Sequence, residues 1–224
     1  MEKETNKKMN ILLISSSPRK EKSQTFALAK KVLAGCNPEQ SEIIHLCDCE
    51  IKFCKHCELC HKKIMNCPIK DDVFMILKKM LDADGIILAT PNYINQVTAS
   101  MKALFDRSSH FIHCKRLLGK YVAGVVSSGS GMDKPVIDYL KHYSFTCGAQ
   151  FAGSVYSKVP LSEEKMEEAF ILGQKLATAI KNKKIFSNQM KIIEQGKDHF
   201  RNIIIARKHD WQEEYEYWKN KNWL

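Results

Sequence analysis

A chain of 224 residues that is 44% hydrophobic can bury the core of one α/β domain and still carry an extension. Its longest apolar stretches, such as Ile11 to Ile14 and Ile86 to Ala89, fall far short of the roughly 20 residues that span a bilayer, which excludes a transmembrane helix. The 35 basic residues outnumber the 25 acidic ones for a net charge of +10, yet the lysines are spread along the chain and no nucleic-acid-binding motif accompanies them, so the charge reads as attraction for an acidic partner or a phosphorylated ligand and no nucleic acid is expected.

The charged segment Met1 to Lys8 lacks the apolar middle of a secretory signal and leads into a strand-like run over Met9 to Ile14, which points to a cytoplasmic protein. Next comes Ser15-Ser16-Ser17-Pro18-Arg19-Lys20, then Ser23-Gln24-Thr25 opening a helix whose apolar stripe includes Leu28, Ala29, Val32 and Leu33. Hydroxyls, an arginine and the free N–H groups of a helix start suit a phosphate, and a Ser-rich turn with a helix cap is the structural alternative. A second strand is expected over Glu42 to Leu46.

Cys54-Lys-His-Cys57-Glu-Leu-Cys60 and Cys67 follow, so four thiols fall within the loop 54–67. That is enough for one 4Fe-4S cluster. Tetrahedral zinc, redox disulfides and a motif that binds nothing are the other readings, although zinc sites more often show two separated pairs. Cys36, Cys47, Cys49, Cys114 and Cys147 lack ligand spacing and read as ordinary semi-buried thiols; His56 and His61 read as solvated loop residues, with tuning of a cluster by hydrogen bonding the alternative.

Behind Asp71-Asp72, the residues Val73, Ile76, Leu77, Met80 and Leu81 carry the spacing of an amphipathic helix. A third strand over Gly85 to Ala89 ends in Thr90-Pro91-Asn92-Tyr93-Ile94, and Val97 to Arg107 follows it. A fourth, Tyr121 to Val126, runs into Ser127-Ser128-Gly129-Ser130-Gly131-Met132, where glycines let backbone approach a flat ring, ahead of a helix near Asp133. A fifth, Phe151 to Tyr156, precedes a helical stripe at Met166, Ala169, Phe170, Gly173, Leu176 and Ala177.

Strands alternating with helices imply a parallel sheet covered on both faces, because parallel neighbours need crossover connections. Five such strands predict an α/β, flavodoxin-like, doubly wound five-stranded parallel sheet over residues 1–181, with a helical, aromatic-rich C-terminal extension over 182–224. In the extension Trp211, Tyr215 and Trp218 share a helical face that is expected to pack against another subunit, with packing on its own domain the alternative. Ligands in such folds bind at the carboxyl ends of strands, so the loops after the first, third and fourth strands are the candidate site.

The phosphate-loop run resembles that of the NAD(P)H-dependent FMN reductase-like flavoproteins, which favour Gly-Ser-Pro-Arg followed by Gly-Asn-Thr. Ser17, Pro18, Arg19 and Thr25 match, while Ser16 replaces a glycine and Ser23-Gln24 replaces Gly-Asn. The Pro91-x-Tyr93 loop is similar to the one that lines the flavin ring in that family, with the Lys102 and Asp106-Arg107 positions on the next helix. The cysteine motif and Asp71-Asp72 resemble those of the iron–sulfur flavoproteins within it.

The resemblance implies an FMN-dependent oxidoreductase that couples a 4Fe-4S cluster to FMN, exchanges electrons with a redox partner such as ferredoxin or NAD(P)H, and forms a homo-oligomer, dimer or tetramer, with transfer between subunits. Ser15, Ser17, Pro18, Arg19, Ser23, Gln24 and Thr25 are the expected phosphate residues. Thr90, Pro91, Asn92, Tyr93, Ile94, Ser128, Gly129, Ser130 and Gly131 are expected at the ring, and Cys54, Cys57, Cys60 and Cys67 at the cluster. No dinucleotide GxGxxG follows the first strand, which favours FMN over a flavin dinucleotide. A cluster-free NAD(P)H-dependent FMN or quinone reductase is the rival enzyme, and a zinc-bearing binding module the non-enzymatic rival.

Overall fold

The computed structural model describes residues 8–224; the N-terminal segment read above as lacking a secretory signal lies outside them, save Lys8. The five expected strands form one parallel sheet in the order β2-β1-β3-β4-β5, the flavodoxin-like order, from β1 (Asn10–Ser15), β2 (Gln40–His45), β3 (Gly85–Pro91), β4 (Tyr121–Ser128) and β5 (Gln150–Lys158). At their carboxyl ends β1, β3, β4 and β5 run one or two residues beyond the expected runs, because ladder hydrogen bonds continue after the apolar side chains stop, whereas β2 begins two residues earlier than expected and ends at His45, one residue short of Leu46.

The three central strands read as nearly unbroken apolar runs because helices cover both of their faces. Side chains alternate between the faces. Leu12, Ile14, Ile86, Leu88 and Val122 join one core with α3 (Val73–Asp82), α4 (Ala99–Asp106) and α6 (Lys134–Thr146). Ile11, Leu13, Ile87, Ala89 and Val125 join the other with α1 (Gln24–Cys36) and α7 (Glu163–Lys181). Between α1 and α7 the helices touch backbone to backbone: a Cβ at Gly173 would lie 2.0 Å from the Val32 carbonyl oxygen, and one at Gly35 2.0 Å from that of Phe170.

The edges are treated differently. β2 exposes Gln40, Ser41 and Glu42, polar residues that discourage pairing with another chain. At the β5 edge, the Gln189 side chain donates to the Phe151 carbonyl at 3.0 Å and accepts from its N–H at 2.7 Å, taking the place of a neighbouring strand.

Gln189 belongs to α8 (Ser187–Ala206), which is followed by α9 (Gln212–Asn220). Both helices fold back on the chain's own body. Trp218 is 0% exposed and packs with Trp211, Ile204 and Cys114, and its Nε1 donates to the His113 carbonyl at 3.2 Å. The expected packing of this aromatic face against another subunit is therefore corrected. A surface within the chain covers it.

Candidate functional site: a hydroxyl cradle beside a cysteine loop

The loops after β1, β3 and β4 meet at the carboxyl ends of the strands because those strands are neighbours in the sheet. Ser16 N–H donates to the Ala89 carbonyl at 2.9 Å, and Asn92 N–H to that of Ser127 at 2.9 Å. The Thr25 and Ser127 hydroxyls stand 2.6 Å apart, joining the start of α1 to the end of β4. Ser15, Ser17, Ser23, Thr25 and Thr90 are buried, whereas Pro18 and Arg19 are exposed at the turn.

At the start of α1, Ser23 Oγ accepts the Phe26 N–H and the Ser23 carbonyl accepts that of Ala27, which leaves the N–H groups of Gln24 and Thr25 as the open donors of the first turn. That turn carries no acidic residue to oppose an anion. Gln24 is used differently from the expectation. Its side-chain oxygen accepts from Leu161 N–H at 2.9 Å and ties α1 to the loop after β5, so only its backbone faces the cradle.

On the other side, Thr90 Oγ1 accepts from Thr98 N–H at 3.2 Å and braces the loop that carries Tyr93 and Ile94. Positive φ at Ile94 and Asn95 turns this loop outward, leaving Tyr93 half exposed and Ile94 99% exposed. Gly131 takes a φ of +79°, a region costly for other residues, while its N–H donates to Ser128 Oγ at 2.8 Å. Asn92 donates to the Met132 carbonyl at 2.8 Å and so holds the β3 and β4 loops together.

Three buried polar atoms around this junction have no protein partner: Ser15 Oγ, Asn92 Oδ1 and Asp133 Oδ2. Buried polar atoms are rarely left so. A phosphorylated, heteroatom-rich ligand fits both these atoms and the open helix start. A separate cavity of about 870 Å³ lies at the amino ends of the strands between Met9, Tyr121, Gln150 and Met190, opposite the end where such sheets bind ligands.

The cysteine loop lies between β2 and α3 and contains one short helical turn, α2 (Leu59–Lys62). Its neck is closed by the Asp71-Asp72 pair: Asp72 accepts from Glu50 N–H at 2.7 Å, and Asp71 from Lys52 N–H at 2.9 Å. Arg107, which follows α4, is buried beneath it. Its guanidinium meets the Asp71 carboxylate at 2.6 and 3.1 Å, the Lys52 carbonyl at 2.8 Å and Cys67 Sγ at 3.3 Å. Burial would raise the Asp71 pKa, but the bonds from Arg107 and the backbone hold it below the ordinary carboxylate value. No spacing rule links Arg107 to the cysteines; the only sequence signal was the matching Asp-Arg position.

Cys54 and Cys57 are exposed and Cys60 and Cys67 half-buried, lining a small cavity with Ile69, Arg107 and Ser109. Positive φ at His56 and Glu58, on either side of Cys57, twists the backbone as it does where successive N–H groups turn toward one anion, and His56 N–H donates to Cys54 Sγ at 3.4 Å. Donors aimed at sulfur suit thiolates. Among the other five, Cys36, Cys114 and Cys147 are buried, Cys49 is half-buried and Cys47 exposed, and all nine cysteines are free.

His61 overturns the expectation of a solvated residue. It is 5% exposed, with Nδ1 2.7 Å from Glu214 Oε1 and its ring 4.7 Å from that of Trp211, both partners contributed by the C-terminal extension. His56 remains exposed.

A family model for NADPH-dependent FMN reductase matches residues 9–163, which run from β1 through both the hydroxyl cradle and the cysteine loop. An iron–sulfur flavoprotein of Methanocaldococcus jannaschii is 34% identical over 191 residues, covering 77% of this chain and 98% of that protein. This chain belongs to the iron–sulfur flavoproteins of the NADPH-dependent FMN reductase family. An iron–sulfur flavoprotein of Archaeoglobus fulgidus is 29% identical over 223 residues, with 96% of this chain and all of that protein covered, so this similarity reaches into the C-terminal helices. Among solved structures, a flavone reductase superposes with a TM-score of 0.64 at 20% identity over 78% of this chain and 64% of that one, a likeness of fold. As a member of this family the chain is an FMN-dependent oxidoreductase, and the flavin supplies the reactive atoms while the protein supplies binding, orientation and electrostatics.

Proposed function

We propose that the chain is an electron-transfer flavoprotein in which FMN is held by the hydroxyl cradle and a 4Fe-4S cluster by Cys54, Cys57, Cys60 and Cys67. The observation that carries this reading is the loop itself: four thiols with the Arg107 guanidinium directed at Cys67 and the His56 N–H at Cys54, joined to the same sheet end as the cradle.

When bound, FMN supplies exchange of electrons in pairs or singly and the cluster exchange of single electrons. The chain's own groups prepare the two places. Ser15, Ser17, Ser23 and Thr25, with the N–H groups of Gln24 and Thr25, receive the phosphate, and Arg19 screens its charge from the exposed turn beside Pro18. Thr90, Pro91, Asn92, Tyr93 and Ile94 on one side and Ser128, Gly129, Ser130 and Gly131 on the other border the ring. Arg107 offsets negative charge at Cys67, and Asp71 fixes its guanidinium.

The same reading includes a cytoplasmic location, supported by nine free thiols and by the lack, among the described residues, of a helix long and apolar enough to cross a membrane. It also includes a homo-oligomer, dimer or tetramer. Exposed Phe53, Ile94 and Met132 near the two centres support burial of this end against a second copy. The partner is a ferredoxin or NAD(P)H.

Anaerobic purification tests the core of this proposal. About four irons and four sulfides per chain, with extractable FMN, are expected. Serine at any one of the four cysteines should remove the cluster and leave the flavin. Stoichiometric zinc without sulfide would establish the structural-metal reading, and FMN without metal or sulfide the cluster-free reductase.

A further inference from the structure

The cysteine loop is fastened from two directions by parts of the chain far apart in sequence. Arg107 grips the neck through Asp71, Lys52 and Cys67. On the opposite side residues 58, 61 and 64, which bracket Cys60, each meet the C-terminal extension. The Glu58 carboxylate accepts from Arg207 and, at 3.0 Å, from Trp211 Nε1. His61 Nδ1 lies 2.7 Å from Glu214 Oε1, and Ile64 N–H donates to Glu213 Oε2 at 2.7 Å.

Glu214 is the centre of this contact. It is fully buried, and its second oxygen lies 3.0 Å from His113 Nδ1 on α5 (Ser109–His113). The two imidazoles stack at 4.6 Å and 15°, with the Trp211 ring against both. The three side chains lie close enough to hold a metal ion, but nearly parallel rings direct their nitrogens to separate oxygens of one carboxylate, which is the geometry of a hydrogen-bonded clamp. A buried carboxylate that loses its partners is costly, so seating α9 and seating His61 beside Cys60 depend on each other.

We propose that the C-terminal helices are a clasp that positions the cysteine loop for cluster binding, with Glu214 the positioning residue for the Cys60 side and Arg107 an independent anchor for the Cys67 side. The role assigned to the loop rests on the iron–sulfur reading, whereas the clasp itself is testable without metal. In full-length, FMN-loaded, metal-free protein, Glu214→Ala should raise the alkylation rate of Cys60 about tenfold, the factor given by roughly 1.4 kcal/mol of lost closure. Cys67, held from the other side, should change less than about twofold, and amide exchange should quicken over 58–64 but not over 70–73.

The double variant Glu58→Ala/Glu213→Ala removes three contacts at the clasp's rim and should reproduce the pattern at smaller amplitude. After anaerobic reconstitution, Glu214→Ala should lose iron to a chelator faster than wild type and show an altered electron paramagnetic resonance spectrum when reduced, with FMN content unchanged. Unchanged Cys60 alkylation in both variants overturns the clasp, as does equal release of Cys60 and Cys67. If Glu214→Ala fails to fold, the double variant decides. Wild-type protein that takes up no iron or sulfide would sink the cluster reading alone, because alkylation and exchange still report on the clasp.

Discussion

At the scale of single residues, two buried contacts carry separable duties. Arg107 and Asp71 are both almost wholly buried, so Asp71→Asn leaves a guanidinium without its counter-charge and should destabilise the protein by about 3 kcal/mol in denaturant titration. Because the folded Asp71 pKa is depressed, its contribution is fully present above the unfolded value of about 3.9 and fades as pH falls through the folded value. The gap between wild type and Asp71→Asn should therefore be constant near neutrality and narrow below about pH 4; a gap that widens in acid would contradict this account. In the cradle, Thr25→Val keeps the side-chain volume but removes the hydroxyl that faces Ser127. Its FMN dissociation constant should rise about tenfold, the worth of one hydrogen bond to a charged group, with the iron content unaffected.

Among the elements, the crossing of α1 and α7 decides where the cradle sits. Gly35 and Gly173 let these helices approach until their backbones touch, and α1 begins at the Ser23-capped turn proposed to receive the phosphate. Gly173→Ala would force a Cβ against the Val32 carbonyl, and the helices must then separate. A loss of about 2–3 kcal/mol in unfolding free energy is expected, within the usual cost of overpacking. FMN affinity should fall with it, as α1 is displaced from β1 and β4. Gly119→Ala is not an equivalent control, since its positive φ strains any side chain, whereas Gly129→Ala meets open space and should leave stability nearly unchanged.

For the whole molecule, net charge governs encounters more than fold. With a formal charge of +10, the protein should attract an acidic electron carrier at long range. Electron transfer with an acidic ferredoxin should slow about tenfold or more between low salt and 0.5 M salt, as screening shortens the reach of the field. Exchange with an uncharged acceptor should scarcely change. Stopped-flow measurements across ionic strengths would distinguish the two, and a flat profile with ferredoxin would remove steering from the account. Truncation after Arg207 should expose the Cys114 and Ile204 surface without altering how copies associate, since Trp211 and Trp218 are spent within the chain; light scattering measures this.

What the sequence determined by itself is whatever short-range pattern controls. Apolar runs alternating with helical stripes specify a parallel sheet, the hydroxyl-rich turn after β1 opens a helix whose first N–H groups are left as open donors, and the spacing of Cys54, Cys57, Cys60 and Cys67 gathers thiols within one loop. Tertiary structure alone decided the partners that come from afar. Arg107 reaches Cys67 across 40 residues, Thr25 meets Ser127 across 102, and Glu214 meets His61 across 153. The histidine that looked like a solvated loop residue became buried, and the tail that looked like an interface became a clasp. The physical reason is common to both: local patterning fixes which face of an element is apolar or polar, but only packing of the complete chain selects which other face covers it.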